Sequence, residues 1–179
     1  MESIYSANFF QNMELLVIPD LDLTTQQYNT MLAGVANGVL QQSESTVILA
    51  CMADGTAEAK LAIKSFEDFW NKQWVAGAEE AGQVVKALPH LLTDCKSIEG
   101  SGEVKALESW ATIFLAPAEL PTVIKTNVSK NILKMTRKLT LAKKELANEQ
   151  YFAFGTTLGE MLVIATQPIA VTNVENIAF

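Results

Sequence analysis

The chain has one histidine, two cysteines and no apolar run long enough to span a bilayer, and these shortages remove most catalytic and transmembrane readings. His90 directly follows Pro89, and no Ser, Cys or Asp nucleophile motif surrounds it. Nucleophilic catalysis needs a base within hydrogen-bond reach of the attacking group, so a histidine in this position reads as structural. One histidine and two cysteines also do not build an ordinary four-ligand zinc site without suitably spaced carboxylates. A Walker-type loop, a strand-borne GxGxxG, a GxSxG elbow and an HExxH helix are all missing from the sequence. The expectation is a protein with no enzymatic machinery and no cofactor.

Positive charge is scarce too. Thirteen Lys and Arg against twenty Asp and Glu leave a net charge of −7, which argues against a nucleic-acid partner, since phosphate binding draws on a surplus of cations. A membrane-spanning helix needs about 18–20 uninterrupted apolar residues. The closest approach, Tyr151 to Val171, is broken by Gly155, Gly159, Glu160, Gln167 and Pro168. The opening Met1-Glu2-Ser3 lacks the basic and apolar regions of a signal peptide. No transmembrane span and no leader are therefore expected, and an intracellular, organellar or processed secretory location all stay open.

What the sequence does contain is a chain of 179 residues, 49% hydrophobic, enough for one domain with a real core. Apolar residues recur at helical spacing almost throughout. Phe9, Phe10, Met13, Leu16 and Val17 suggest helix in the first twenty residues, up to Pro19. Residues 24–42 form a second stretch, capped by Asp22, Thr24 or Thr25, with Tyr28, Met31, Leu32, Val35 and Val39 as its stripe. A third runs over 45–70 with Gly55 as an interruption. A fourth starts at Trp74 and is kinked or divided by Pro89 before Cys95. Residues 98–102 read as loop. Helix resumes at 103, stops at Pro117, and a single long helix from Pro121 to about 148 carries Val123, Ile124, Val128, Ile132, Met135, Leu139, Leu141 and Leu146 inward. A last helix spans 149–166. No period-two alternation or tandem repeat is present. The predicted fold is an all-α, irregular bundle of five to seven helices, one domain over 1–167, followed by a tail.

Two pairs of glycines stand four apart: Gly34 with Gly38, and Gly155 with Gly159. Each pair lies on one helical face and admits a close neighbour, which favours a tightly packed helix pair over a ligand box. Trp110, Phe114, Phe152 and Phe154 are expected to share one buried cluster. Sequence neighbours Glu67-Asp68 and Glu79-Glu80 point in different directions on their helices, so they read as a solvated acidic face. The Asn127-Val128-Ser129 triplet is a glycosylation sequon that acts only in a secretory compartment.

Charge is unevenly distributed. Residues 1–120 carry sixteen acidic against six basic side chains. Residues 121–149 carry seven basic ones, including Lys130, Lys134, Arg137 and Lys138, against Glu145 and Glu149. This basic face suits an acidic protein partner or anionic lipid, or is the solvated outside of a long helix. Cys51 and Cys95 fall on different predicted helices and form no CxxC pair, which removes a thioredoxin-like reading. Both a disulfide, contributing about 4 kcal/mol in the chain-entropy model, and two buried thiols fit this spacing.

The stretch Trp74 to Cys95, with Leu88-Pro89 before Leu91 and then Asp94-Cys95-Lys96, resembles the middle of small two-cysteine helical proteins of ciliates. Trp110-x-x-Ile113-Phe114-x-x-Pro117-x-x-Leu120, Asn127, and Tyr151-Phe152-x-Phe154-Gly155-x-x-x-Gly159 are similar to their C-terminal half. The resemblance covers residues 45–165. It implies an all-helical fold and a Cys51–Cys95 pair with Cα atoms roughly 4.4–6.8 Å apart. It carries over no catalytic residue, and the leader that many of these proteins have is not visible here.

The functional expectation is a non-enzymatic structural or interaction protein, a subunit of a larger assembly. The alternative is a small helical module for a hydrophobic ligand or lipid, with Met13, Met31, Met52, Met135 and Met161 lining an adaptable cavity. The tail supports the first reading: Ile169, Val171, Val174, Ile177 and Phe179 are apolar, and Glu175 is the only charge among them, whereas a solvated tail is expected to be polar. Deleting residues 168–179 is expected to abolish partner binding while leaving the thermal stability of the monomer unchanged. A large fall in stability would instead place the tail in the core, and no effect on either measurement would end the docking idea.

Overall fold

The computed structural model describes residues 15–19, 21–40, 52–92, 105, 108–109, 111–115 and 118–166. Cys51, Cys95, Trp110 and the tail residues Ile169, Val171, Val174, Ile177 and Phe179 lie outside the described residues. Within them the chain is all-helical, with no strand. Six α-helices pack together: α1 (Thr25–Leu40), α2 (Thr56–Trp70), α3 (Trp74–Leu91), α4 (Leu120–Lys130), α5 (Ile132–Ala147) and α6 (Tyr151–Thr166), with a 3-10 turn over Thr112–Leu115.

Local chemistry sets the helix ends. At the start of α1, the Gln27 amide donates to Thr24 Oγ1 (3.1 Å) and the Thr24 amide donates to Gln27 Oε1 (2.9 Å). This reciprocal box satisfies two of the donors that a helix start leaves without partners. Before α2, Asp54 Oδ1 accepts from the amide and hydroxyl of Thr56, which holds its carboxyl below the usual carboxylate range. The Gly55 amide donates to Asn29 Oδ1 (2.8 Å) and ties that start to α1.

Helices α2 and α5 end alike. Lys72 and Gln73 donate back to Phe69 and Asp68, and Glu149 and Gln150 donate back to Leu146 and Glu145. Both are Schellman endings, and both put a non-glycine residue in the left-handed region, Lys72 at φ 64° and Glu149 at φ 58°.

Helix α6 is central. Its buried residues, from Phe154 through Gly155, Thr157, Leu158, Gly159, Met161 and Leu162 to Ala165, are not confined to one face, the pattern of a helix surrounded by others. It touches α1 most extensively, then α5 and α4. The α1–α6 contact is made backbone to backbone. A Cβ at Gly34 would fall on the Phe152 carbonyl oxygen, one at Gly38 on that of Thr156, one at Gly155 on that of Met31, and one at Gly159 2.5 Å from that of Val35. The numbers rise together along both helices, so the two run parallel. The expected tight packing at both glycine pairs is one shared seam.

Around it, Phe66 from α2 meets Phe154 edge-on, ring centroids 5.2 Å apart, and Phe66 also lies 6.3 Å from Trp70. Phe114 is buried in the same core and covers Gly82 of α3. Phe152 is only partly buried, packed at its edge.

Three expectations are corrected. Residues 15–19 are not helical: Pro19 disfavours the helical region for Ile18, and Glu67 of α2 and Asn71 at its end supply hydrogen-bond partners for the Leu16 and Ile18 backbone. The helix expected over 121–148 is two, joined at Asn131. The Asn131 side-chain amide donates to the Asn127 carbonyl (2.8 Å), and its backbone amide is shared between Asn127 and Val128; such local side-chain bonds compete with the regular ladder. Pro89 sits inside the last turn of α3, which continues to Leu91 rather than dividing there; so close to the helix end, one lost amide is tolerated.

Gly155→Ala is expected to cost at least roughly 1–3 kcal/mol, because the added methyl meets the Met31 backbone rather than a side chain that can rotate away. Lys72→Gly is expected to act the other way. It relieves a left-handed penalty of roughly 1–2 kcal/mol against about 0.4–1 kcal/mol of added unfolded-state entropy. Urea denaturation of both variants checks the pair, and a neutral Gly155→Ala would contradict the seam.

Candidate functional site

Two surfaces bring functional groups together. The first lies along the α2–α3 hairpin, where residues 15–19 form a strap. Asn71 holds it like a strand partner: the Leu16 amide donates to Asn71 Oδ1 and Asn71 Nδ2 donates to the Leu16 carbonyl, both at 2.8 Å. The Ile18 amide donates to Glu67 Oε2, also at 2.8 Å. Leu16 and Ile18 pack inward, while Leu15 and Val17 stay 82% and 79% exposed. A cleft of about 140 Å³ opens between strap, α1 and α2, lined by Ile18, Pro19, Leu21, Tyr28, Lys60, Ile63, Lys64 and Glu67. Lys60 Nζ lies 5.6 Å from the centre of the Tyr28 ring, and the Tyr28 hydroxyl donates to the Leu21 carbonyl. None of the described methionines lines this cleft; Met31, Met135 and Met161 are in the packed core, and Met13 lies outside the described residues.

The carboxylates beside the strap correct the picture of a wholly solvated acidic face. Sequence neighbours do diverge, with Glu79 exposed and Glu80 half-buried. Across the hairpin, however, Glu80 of α3 meets Asp68 of α2. Burial and the adjoining Asp68 carboxylate push the Glu80 carboxyl up to about 7, with Glu67 adding to the rise and Lys64 opposing it. Lys64 pairs with Glu67 at 3.1 Å and Asp68 at 3.4 Å, which raises its own pKa. Glu80 Oε2 is closed to solvent with no protein donor, an environment that favours the protonated carboxyl beside the Asp68 carboxylate, as expected where two carboxyls share a site. Helical neighbours alone could not reveal this, because the partners come from different helices.

The second surface is the outer face of α5. Its inner face buries Met135, Leu139, Ala142 and Glu145, whose Oε1 accepts from the Thr157 hydroxyl of α6 at 2.6 Å. Opposite lie Leu133, Lys134, Arg137, Leu141 and Lys144, all exposed, with Lys130 exposed at the α4 end. Leu133 is 36% and Leu141 46% exposed, so Leu141 does not belong to the inward stripe expected of it; it shares the phase of Arg137 and Lys144, four and three residues away. Of the expected basic face, Lys130, Lys134 and Arg137 are on the surface, whereas Lys138 turns towards α6 and pairs with Glu160. Lys143 is also used internally, its Nζ 4.6 Å above the Trp70 ring. Among the described residues Lys130, Lys134, Arg137 and Lys144 make no ion pair.

The remaining candidates do not build a site. His90 is exposed at the end of α3. Asn127 of the sequon is 6% exposed and its amide donates to the Ala165 carbonyl, so the folded chain offers it no room for a glycan. Among the described residues no group of three His, Cys, Asp or Glu side chains is placed to hold a metal ion, and no helix is long and apolar enough to cross a membrane. No protein-family model, curated protein or solved structure matches the chain.

The Asp68–Glu80 pair predicts a pH dependence. Folded Glu80 holds a proton to about pH 7, while its ordinary value is 4.5. In that window the folded state binds more protons than the unfolded one, so stability falls as pH rises through it and levels off above. Glu80→Gln, which cannot ionise, is expected to flatten the curve of Tm against pH between about 4.5 and 7. A Glu80→Gln curve with the same slope as wild type across this window would refute the raised Glu80 value.

Proposed function

We propose that the chain is a non-enzymatic interaction protein that works as a subunit of a larger assembly. One observation carries this reading: every exposed charged side chain between residues 120 and 148 is a cation, in a protein whose net charge is −7. Glu145, the one acid in that range, is buried against Thr157. A helix with one wall in the core and a single-sign outer wall carrying two leucines presents a preformed surface to something of opposite charge. Contact with a protein partner or with lipid belongs to this surface in this reading. The outward Leu15 and Val17 add a second apolar contact on the hairpin side.

The alternative of a hydrophobic-ligand module has less support. Ligand sites commonly enclose about 300–1,000 Å³, and the strap cleft is about 140 Å³. The likeness to two-cysteine ciliate proteins fits the helical fold and adds the Cys51–Cys95 link as part of the proposal.

Lys134→Glu/Arg137→Glu reverses two exposed charges and removes no core contact. Size-exclusion chromatography of native extracts is expected to show the wild-type chain in a large species, and the variant as a folded monomer with an unchanged circular dichroism spectrum. A wild-type chain that elutes as a monomer and sediments with no cellular fraction would overturn the reading.

A further inference from the structure

The outer face of α5 has features that narrow the kind of partner it fits. Leu133, Lys134, Arg137, Leu141 and Lys144 stand at helical spacing along one side, and at 1.5 Å per residue they extend over about 17 Å. The opposite side, Met135, Leu139 and Ala142, is fully buried, so the helix is formed and fixed before any partner arrives and docking needs no folding.

Composition separates two partner classes. Protein interfaces concentrate aromatic residues, Met and Arg at their centres and are poor in Lys. This stripe has two lysines, one arginine, two leucines and no aromatic residue, with Lys130 at one end. Lys and Arg interleaved with Leu on an exposed helical face is the composition of helices that rest on anionic bilayers. A second copy of this chain is disfavoured at this face, because α5 against α5 sets like charges together.

We propose that the outer face of α5 docks on an anionic lipid bilayer. Lys130, Lys134, Arg137 and Lys144 lie among the phosphate and carboxylate headgroups, and Leu133 and Leu141 enter between them. The proposal rests on the interaction reading above and names its partner. Net charge alone gives the opposite expectation, since a protein at −7 is repelled by an anionic surface. Binding must therefore come from this local stripe and must weaken with salt.

The test is co-sedimentation of the full chain with phosphatidylcholine vesicles, with and without a third of phosphatidylserine, at low and high salt. The wild-type chain is expected to sediment with the phosphatidylserine vesicles only, and to be released by salt. Lys134→Glu/Arg137→Glu is expected to bind at least roughly 30-fold more weakly, the loss for two cations at about 1 kcal/mol each near such a surface. Leu133→Ser/Leu141→Ser, which leaves every charge in place, is expected to bind more weakly than wild type at equal salt. Circular dichroism shows that each variant is folded.

Failure to sediment with phosphatidylserine vesicles overturns the proposal, as does binding that the double charge reversal leaves unchanged. A chain that ignores vesicles yet loses its large native species on charge reversal has a protein partner at this face. That outcome removes the lipid and keeps the interaction reading. A chain that neither sediments nor enters a large species removes both.

Discussion

Helices α1 and α6 touch through their backbones because residues 34, 38, 155 and 159 have no Cβ, and the orientation of the rest of the bundle follows from that contact. Each glycine sits under a carbonyl of the opposite helix, so neither helix can turn about its own axis without driving a side chain into the partner's backbone. Such close approach also allows Cα–H···O contacts. Once α6 is fixed in rotation, Phe154 faces Phe66 of α2, the Ala165 carbonyl faces Asn127 of α4, and Thr157 faces Glu145 of α5. The seam thus reaches the surface indirectly: it sets α6, α6 sets α5, and α5 turns Leu133, Arg137, Leu141 and Lys144 outward.

The buried polar contacts explain why the helices settle in one register rather than sliding. Apolar packing tolerates repacking as long as volume is conserved, but a buried polar group left without a partner costs about 1–3 kcal/mol. Ser65 donates to the Gly77 carbonyl at 2.6 Å across the α2–α3 hairpin, and Glu145 and Asn127 reach α6 from two sides. A shift of α5 by one turn would leave a buried carboxylate facing carbon. These bonds give the bundle specificity more than net stability.

What was legible in the sequence was local. The glycine pairs announced close packing because a spacing of four is enough to place them on one face, and Thr24 and Pro121 marked helix starts within a turn. What escaped came from tertiary partners. Leu16 and Val17 continue the helical spacing of Phe9, Phe10 and Met13, yet Asn71 and Glu67, about fifty residues later, supply hydrogen bonds to the Leu16 and Ile18 backbone. Asp68 and Glu80 each look solvated on their own helix and meet only because the Schellman turn at Lys72 folds α3 back on α2. The break at Asn131 is an intermediate case: the residue is a known competitor of the helical ladder, but only the structure shows its side chain taking the Asn127 carbonyl. The basic face was visible as charge, but its leucines were not, since Leu141 counts equally well as core until the phase of α5 is known.

The outer face of α5 departs from what a helix needs for its own stability. Lys134 and Arg137 are like charges three residues apart on that face, with no acid between them; such a pair opposes helix formation by roughly 0.2–0.5 kcal/mol. A single Glu at 133 or 141 would relieve the repulsion and remove an exposed leucine at once, yet both positions hold Leu. Two cations of the same segment are used internally, Lys138 with Glu160 and Lys143 on Trp70, so acids and aromatic faces are within reach of α5 but are not spent on its outer stripe. Local rules that are broken together, on one face, with no return inside the fold, are characteristic of a functional surface. A return on the exposed charge and leucines outside the chain is what the proposed docking of α5 on an anionic surface would supply.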